Sequence, residues 1–169
     1  MQETAPSSHL SQAPLGQLIA ATRRRIKQAL WAQLSEEGLS PQQYWILMVL
    51  MEHGAHSLHE LAMRVWIDDP TASRIVKALV GRGILTTHPD PNHGRRILIR
   101  LAPGTEPLQK RLRALAVKVR GALEQGLESD EKVQIRSGLM KVVANMERLE
   151  SELAQARLDA VAARASRLG

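Results

Sequence analysis

The chain contains no cysteine and no phenylalanine. The first absence excludes a disulfide framework, a thiolate zinc centre and a thiol redox switch. With three tryptophans and one tyrosine as the whole aromatic content, the core must be filled by Leu, Ile, Val, Ala and Met. That favours helices over a β-sandwich, whose strands are rich in aromatic and β-branched residues. The longest apolar run, residues 44–51, falls far short of the roughly 20 residues needed to span a bilayer. Residues 1–14 are polar, with Pro6, Ser7, Ser8 and Pro14. They lack the charged-then-apolar pattern of a secretory leader, so the expected location is the cytoplasm. There is no glycine-rich phosphate loop after a strand, no nucleophile elbow and no paired-carboxylate motif. The expectation is a protein that is not an enzyme and needs no cofactor. His53, His56 and His59 recur at every third position, a spacing that could suit a transition metal. With no cysteine near and only Glu52 and Glu60 as carboxylates, surface histidines are the better reading and no metal is expected.

What is present is positive charge. Lys plus Arg is 23 against 17 for Asp plus Glu, giving a formal charge of +6 over 169 residues. That balance favours a polyanionic partner, either nucleic acid or an anionic surface. The length suits one domain with helical extensions. Residues 1–13 read as a disordered arm. A helical pattern begins near Pro14, with Leu15, Leu18, Ile19, Ile26, Leu30 and Leu34 at helical spacing, and Gly38 closes it. Ser40-Pro41 opens a second helix as cap and first-turn proline. This helix is apolar around much of its circumference and is expected to be central. Ser57-x-x-Glu60 has the form of a capping box before a short third helix. Asp69-Pro70 opens a fourth, which runs to Gly81 or Arg82. The few residues joining the third and fourth helices give helix-turn-helix spacing. Residues 84–88 and 95–101 read as the two strands of a hairpin around the turn residues 89–94, with Ile97, Ile99 and Leu101 on a half-buried face. The remainder is helical. Ser129-Asp130 breaks it, and Ile135, Leu139, Val142, Met146, Leu149 and Leu153 then form a heptad-like seam.

At roughly 100° per residue, Ala72, Ile75, Val76, Leu79 and Val80 of the fourth helix fall in one arc, and Arg74, Lys77, Ala78 and Gly81 fall opposite it, flanked by Thr71 and Ser73. The outward face is therefore small or cationic, with no acid after Asp69. A helix seated in the major groove needs this surface, because small residues allow close approach and Arg can grip guanine with two hydrogen bonds. Immediately downstream, His93, Arg95, Arg96 and Arg100 lie within one short hairpin. A stiff cationic ribbon of this kind fits a minor groove. Ser57, Thr71, Ser73, Arg74, Lys77, His93, Arg95 and Arg96 are the candidate DNA contacts.

This order of elements resembles the MarR family of winged helix-turn-helix regulators over roughly residues 14–155. The similarity is carried by Glu60-Leu61-Ala62, by Pro70 through Leu85, and by Asp90 through Gly104. Asp90, Arg95 and Leu101 fit the family's wing pattern, so the resemblance gives Arg95 the minor-groove role. Two departures stand out. His93 occupies the place of a second Asp that braces the Arg, and Ala102 the place of a Thr. The resemblance implies a mainly α fold with a winged helix-turn-helix lobe (residues 40–103). It also implies a dimerisation lobe of N- and C-terminal helices (14–39 and 104–169). Two copies would read a pseudo-palindromic operator in double-stranded DNA, with recognition helices roughly 34 Å apart. It further implies a repressor released by a small aromatic acid, for which Trp31, Tyr44, Trp45 and Trp66 are the candidate walls; the alternative for these four is core and dimer packing. The other functional reading is a winged-helix protein-interaction module, or a module binding an anionic surface, without operator recognition.

Overall fold

The structure, a computed structural model, describes residues 12–165. The expected N-terminal arm falls almost wholly outside the described residues. The elements are α1 (Leu15–Leu34), α2 (Pro41–His53), α3 (Leu58–Val65), α4 (Asp69–Gly81), β1 (Leu85–Asp90), β2 (His93–Leu101), α5 (Glu106–Glu124) and α6 (Ser129–Ala165). The chain divides into two compact units, Met1–Ala122 and Leu123–Gly169.

The first unit is built around α2. Its start is fixed by a reciprocal capping box: the Ser40 hydroxyl accepts from the Gln43 amide at 3.2 Å, and the Gln43 side chain accepts from the Ser40 amide at 2.8 Å. As its unbroken apolar sequence demands, α2 is buried through Tyr44, Ile46, Leu47, Met48 and Leu50. Leu30 and Leu34 from the end of α1, Leu61 from α3, Val76 and Leu79 from α4, Ile99 from β2 and Leu112 from α5 complete the same core. Leu15 and Leu18, at the other end of α1, are exposed. Between α1 and α2 the chain turns at Gly38, whose φ of 61° favours glycine. Arg82, just past α4, clamps this turn by donating to the Gly38 and Glu37 carbonyls at 2.7 and 2.9 Å.

The strands form an antiparallel pair with Leu85 opposite Leu101 and His88 opposite Leu98. They run further toward the tip than the sequence suggests. The Asp90 carboxylate accepts from the Asn92 amide at 2.9 Å. That side-chain turn lets Pro91-Asn92 alone reverse the chain, with Asp90 facing His93. Ile99 is buried and Leu101 half-buried, but Ile97 is exposed, because the ribbon has left the core by that point. His56 adds a one-residue third strand: its amide donates to Ile99 at 3.2 Å and its carbonyl accepts from Ile99 at 2.8 Å. This corrects the surface-histidine reading for His56, which is buried and bonds the Gly54 carbonyl through Nδ1 at 3.0 Å. Pinned between α2 and α3, the bridge ties the wing to the helical body.

The second unit is dominated by α6. The Glu128 amide donates to the Glu131 carboxylate at its start, and Lys132 pairs with Glu124 at 3.6 Å. None of the described α6 side chains is buried within the chain. Ile135, Leu139, Met146, Leu149 and Leu153 are all exposed.

Candidate nucleic-acid interface

Helix α4 begins one residue earlier than its Asp-Pro pair suggests. Asp68 is the cap, its carboxylate accepting from the Thr71 amide at 2.6 Å, and Pro70 sits in the first turn. That amide bond holds the Asp68 carboxyl below its ordinary pKa. Asp69, displaced from the cap, pairs with the His59 ring of α3 at 3.2 Å. Ala72, Val76 and Leu79 face the core, while Arg74, Lys77, Ala78 and Gly81 are exposed. Thr71 and Ser73 are half-buried at the edges. Val80 departs from the arc drawn for it and is 37% exposed, since nothing in the unit covers that flank near the helix end. The Arg74 guanidinium donates to the Thr71 hydroxyl at 3.1 Å, so one side chain aims the other. A shallow groove of about 290 Å³ runs between this edge and the start of α2, with Ser40, Gln43, Thr71 and Arg74 along it.

The two adjacent wing arginines have opposite fates. Arg95 is exposed at the tip, beside the exposed His93, and makes no ion pair among the described residues. Arg96 turns back onto the body. Its guanidinium forms a salt bridge with Glu60 of α3 and lies 3.6 Å from the buried Asp90. Glu60 meanwhile closes the α3 capping box, accepting from the Ser57 amide at 2.8 Å and the Ser57 hydroxyl at 3.0 Å. Two of the eight candidate contacts, Ser57 and Arg96, are thus engaged in a network that docks the wing on α3. The wing Asp at 90 braces Arg96, not Arg95.

The Arg96 bond, followed by the Ser57 amide, lowers the Glu60 pKa from 4.5 to about 2. A carboxyl depressed in the folded state contributes stability that is complete above its ordinary pKa. That contribution is lost as pH falls through about 2. Glu60→Gln is expected to melt a few degrees below the parent at neutral pH, since a partly exposed bridge contributes modestly. The gap should narrow as pH drops from 4.5 toward 2. Thermal melts across that range check it, and parallel pH profiles would show that the bridge contributes nothing.

The four aromatic candidates are not gathered into one cavity. Tyr44 is buried in the core, with Trp45 edge-on at 5.1 Å and half exposed. Trp66 ends α3 in the left-handed conformation, φ 58°, and is 71% exposed. Trp31 lines an open recess of about 330 Å³ on α1, shared with Arg24, Lys27 and Gln28.

A family model described as the MarR family matches residues 37–96, from the turn before α2 into β2. Among solved structures, the transcriptional regulator PA3341 is 28% identical, with a TM-score of 0.73 over 80% of this chain and 99% of its own. The Bordetella bronchiseptica regulator BpsR, whose DNA binding is regulated by 6-hydroxynicotinic acid, is 25% identical, with a TM-score of 0.66 over 76% of this chain and 98% of its own. A mutant of Escherichia coli MarR in complex with operator DNA shares the fold at 23% identity, with a TM-score of 0.67 over 81% of this chain and 99% of its own. The MarR family pattern is thus seated across α2, α3, α4 and the start of the wing, and the mainly helical fold with its two-stranded wing is the fold of the winged helix-turn-helix transcription regulators this chain is similar to.

Proposed function

We propose that two copies of this chain bind a pseudo-palindromic operator as a cytoplasmic repressor, and that a small aromatic acid releases them. The observation that carries this reading is the exposed face of α4, where Arg74 and Lys77 stand clear with no carboxylate beyond the first turn. In this reading α4 enters the major groove. Arg74, oriented by Thr71, pairs with a base, Ser73 and Lys77 meet the edge and the phosphates, and Arg95 with His93 reaches the minor groove. Ser57 and Arg96 hold the wing in place. Residues 40–103 form the reading lobe. The stretches 14–39 and 104–169 form the dimerisation lobe, a role supported by the uncovered apolar face of α6.

For the effector, the recess on α1 is the favoured place. Trp31 offers a stacking wall, and Arg24 and Lys27 offer charge for a carboxylate. The regulation of BpsR by an aromatic acid supports that chemistry. A ligand acts only if it binds the DNA-competent and released arrangements unequally.

Operator titrations test the assignment. Arg74→Ala is expected to cost about 1–3 kcal/mol and to relax base preference at one position per half-site. Arg95→Ala is expected to weaken binding most where the flanks are A·T-rich. Lys77→Ala should weaken all sequences alike and reduce the salt slope by about 1 per half-site. Unchanged affinity in all three, or equal binding to scrambled DNA, would favour an anionic-surface or protein-interaction module instead.

A further inference from the structure

The apolar stripe of α6 changes character along its length. From Ile135 through Leu139, Val142, Met146, Leu149 and Leu153 the spacing alternates four and three, and it continues through Ala156 and Ala160. The first half is wide: Val133, Met140 and Val143, off the seam, are also exposed apolar residues. It places Ile135 and Val142 at d and Leu139 at a, a choice that shifts preference above two strands. The second half is narrow. From Leu149 onward the seam positions are apolar, and among the described side chains Leu158 is the one large exposed apolar residue off them. A two-residue-per-heptad stripe is the mark of a two-stranded seam.

The flanking charges add direction. With Leu153 and Ala160 at a and Leu149 and Ala156 at d, Glu152 and Asp159 occupy g, and Arg157 and Arg164 occupy e. All four are exposed, and none makes an ion pair among the described residues; Asp159 accepts from Gln155 at 2.8 Å. In a parallel, in-register pair, each g residue faces the e residue five positions on in the partner. That sets Glu152 against Arg157 and Asp159 against Arg164, each twice by symmetry. An antiparallel pair would set g against g, acid against acid.

We propose that residues 149–164 of α6 zip against the same residues of a second copy as a parallel, in-register two-stranded coiled coil. The proposal rests on the reading above that two copies associate, and it assigns the end of the helix its own partner and direction. The segment is about 24 Å long at 1.5 Å per residue. It extends a dimer whose wider seam lies earlier in α6, because a coil of this length is marginal alone.

The chain has no cysteine of its own, so single cysteines report without ambiguity. Leu149→Cys and Ala156→Cys, both at d, are expected to give near-complete disulfide-linked dimers on mild oxidation, and Gln155→Cys, pointing away, is not. A symmetric link at both d positions requires parallel register; a link at only one, or at neither, overturns the coil. Sedimentation of the parent separates the two failures: a dimer that does not cross-link removes the coil and leaves the dimer, and a monomer removes both. Glu152→Arg should weaken self-association roughly tenfold at low salt, and adding Arg157→Glu should restore it. Loss without restoration also overturns the pairing.

Discussion

Placing aspartate at both Leu139 and Met146 is expected to convert the protein to monomers and to lower operator affinity by about 10²–10⁴-fold. Both residues lie on the α6 seam and remain 43% and 48% exposed within the chain. A two-fold seam holds each substituted position twice, so each substitution places two carboxylates in the apolar contact, at a cost no local rearrangement offsets. The DNA consequence is larger than any single contact loss. One copy linked to another binds its second half-site as an intramolecular event, and separation removes that gain from every operator. The first unit, with its own core, should keep its helical signal. Leu158→Asp, on α6 but away from the seam, should leave both properties unchanged. Sedimentation and operator titration read the two effects. A doubly substituted chain that stays dimeric would show that α6 does not carry the association.

The local signals in this sequence were legible because they act within four residues. Ser40-Pro41 and Ser57-x-x-Glu60 specify their own caps, and both boxes form. The unbroken apolar run of α2 demands burial and receives it. What the pattern could not give is non-local or degenerate. Asp68 and Asp69 are both able caps, and only the geometry of the preceding turn chooses between them. Val80 falls inside the apolar arc of α4, yet the arc does not know where the neighbouring elements stop. His56 is polar by composition, but its backbone is recruited by Ile99, far along the chain. The wing arginines are the instructive case. Strand residues alternate faces, so of Arg95 and Arg96 only one could project while the other turned inward. The alternation itself was legible, but it put Arg95 on the face of Ile97, Ile99 and Leu101; a register shift at Pro89/Asp90 interrupts the pattern at the tip, where Arg96 turns inward instead. What the pattern lacked was the inward partner, Glu60, which only the docking of the wing on α3 supplies.

On a single helix the structure separates stability from recognition, and Leu79→Ala makes the separation measurable. Leu79 is fully buried, packed in the core shared with α2, α3 and β1. Its carbonyl accepts the Ile84 amide at 2.9 Å, a bond that alanine preserves. The loss is therefore the side chain alone: the transfer of its methyl and methylene groups from water plus the void they leave, together about 2–5 kcal/mol. For a chain of this size that corresponds to a fall of roughly 5–20 °C in melting temperature. Lys77, two residues earlier, is exposed, and Lys77→Ala should melt with the parent while binding DNA more weakly. Ile97→Ala, with its side chain half exposed on the outer wing, should change the melting temperature little. Thermal melts of the three variants beside operator titrations of the first two complete the comparison. If Leu79→Ala melted with the parent, the helix would not be seated on this core, and the outward orientation of Arg74 and Lys77 would lose its foundation.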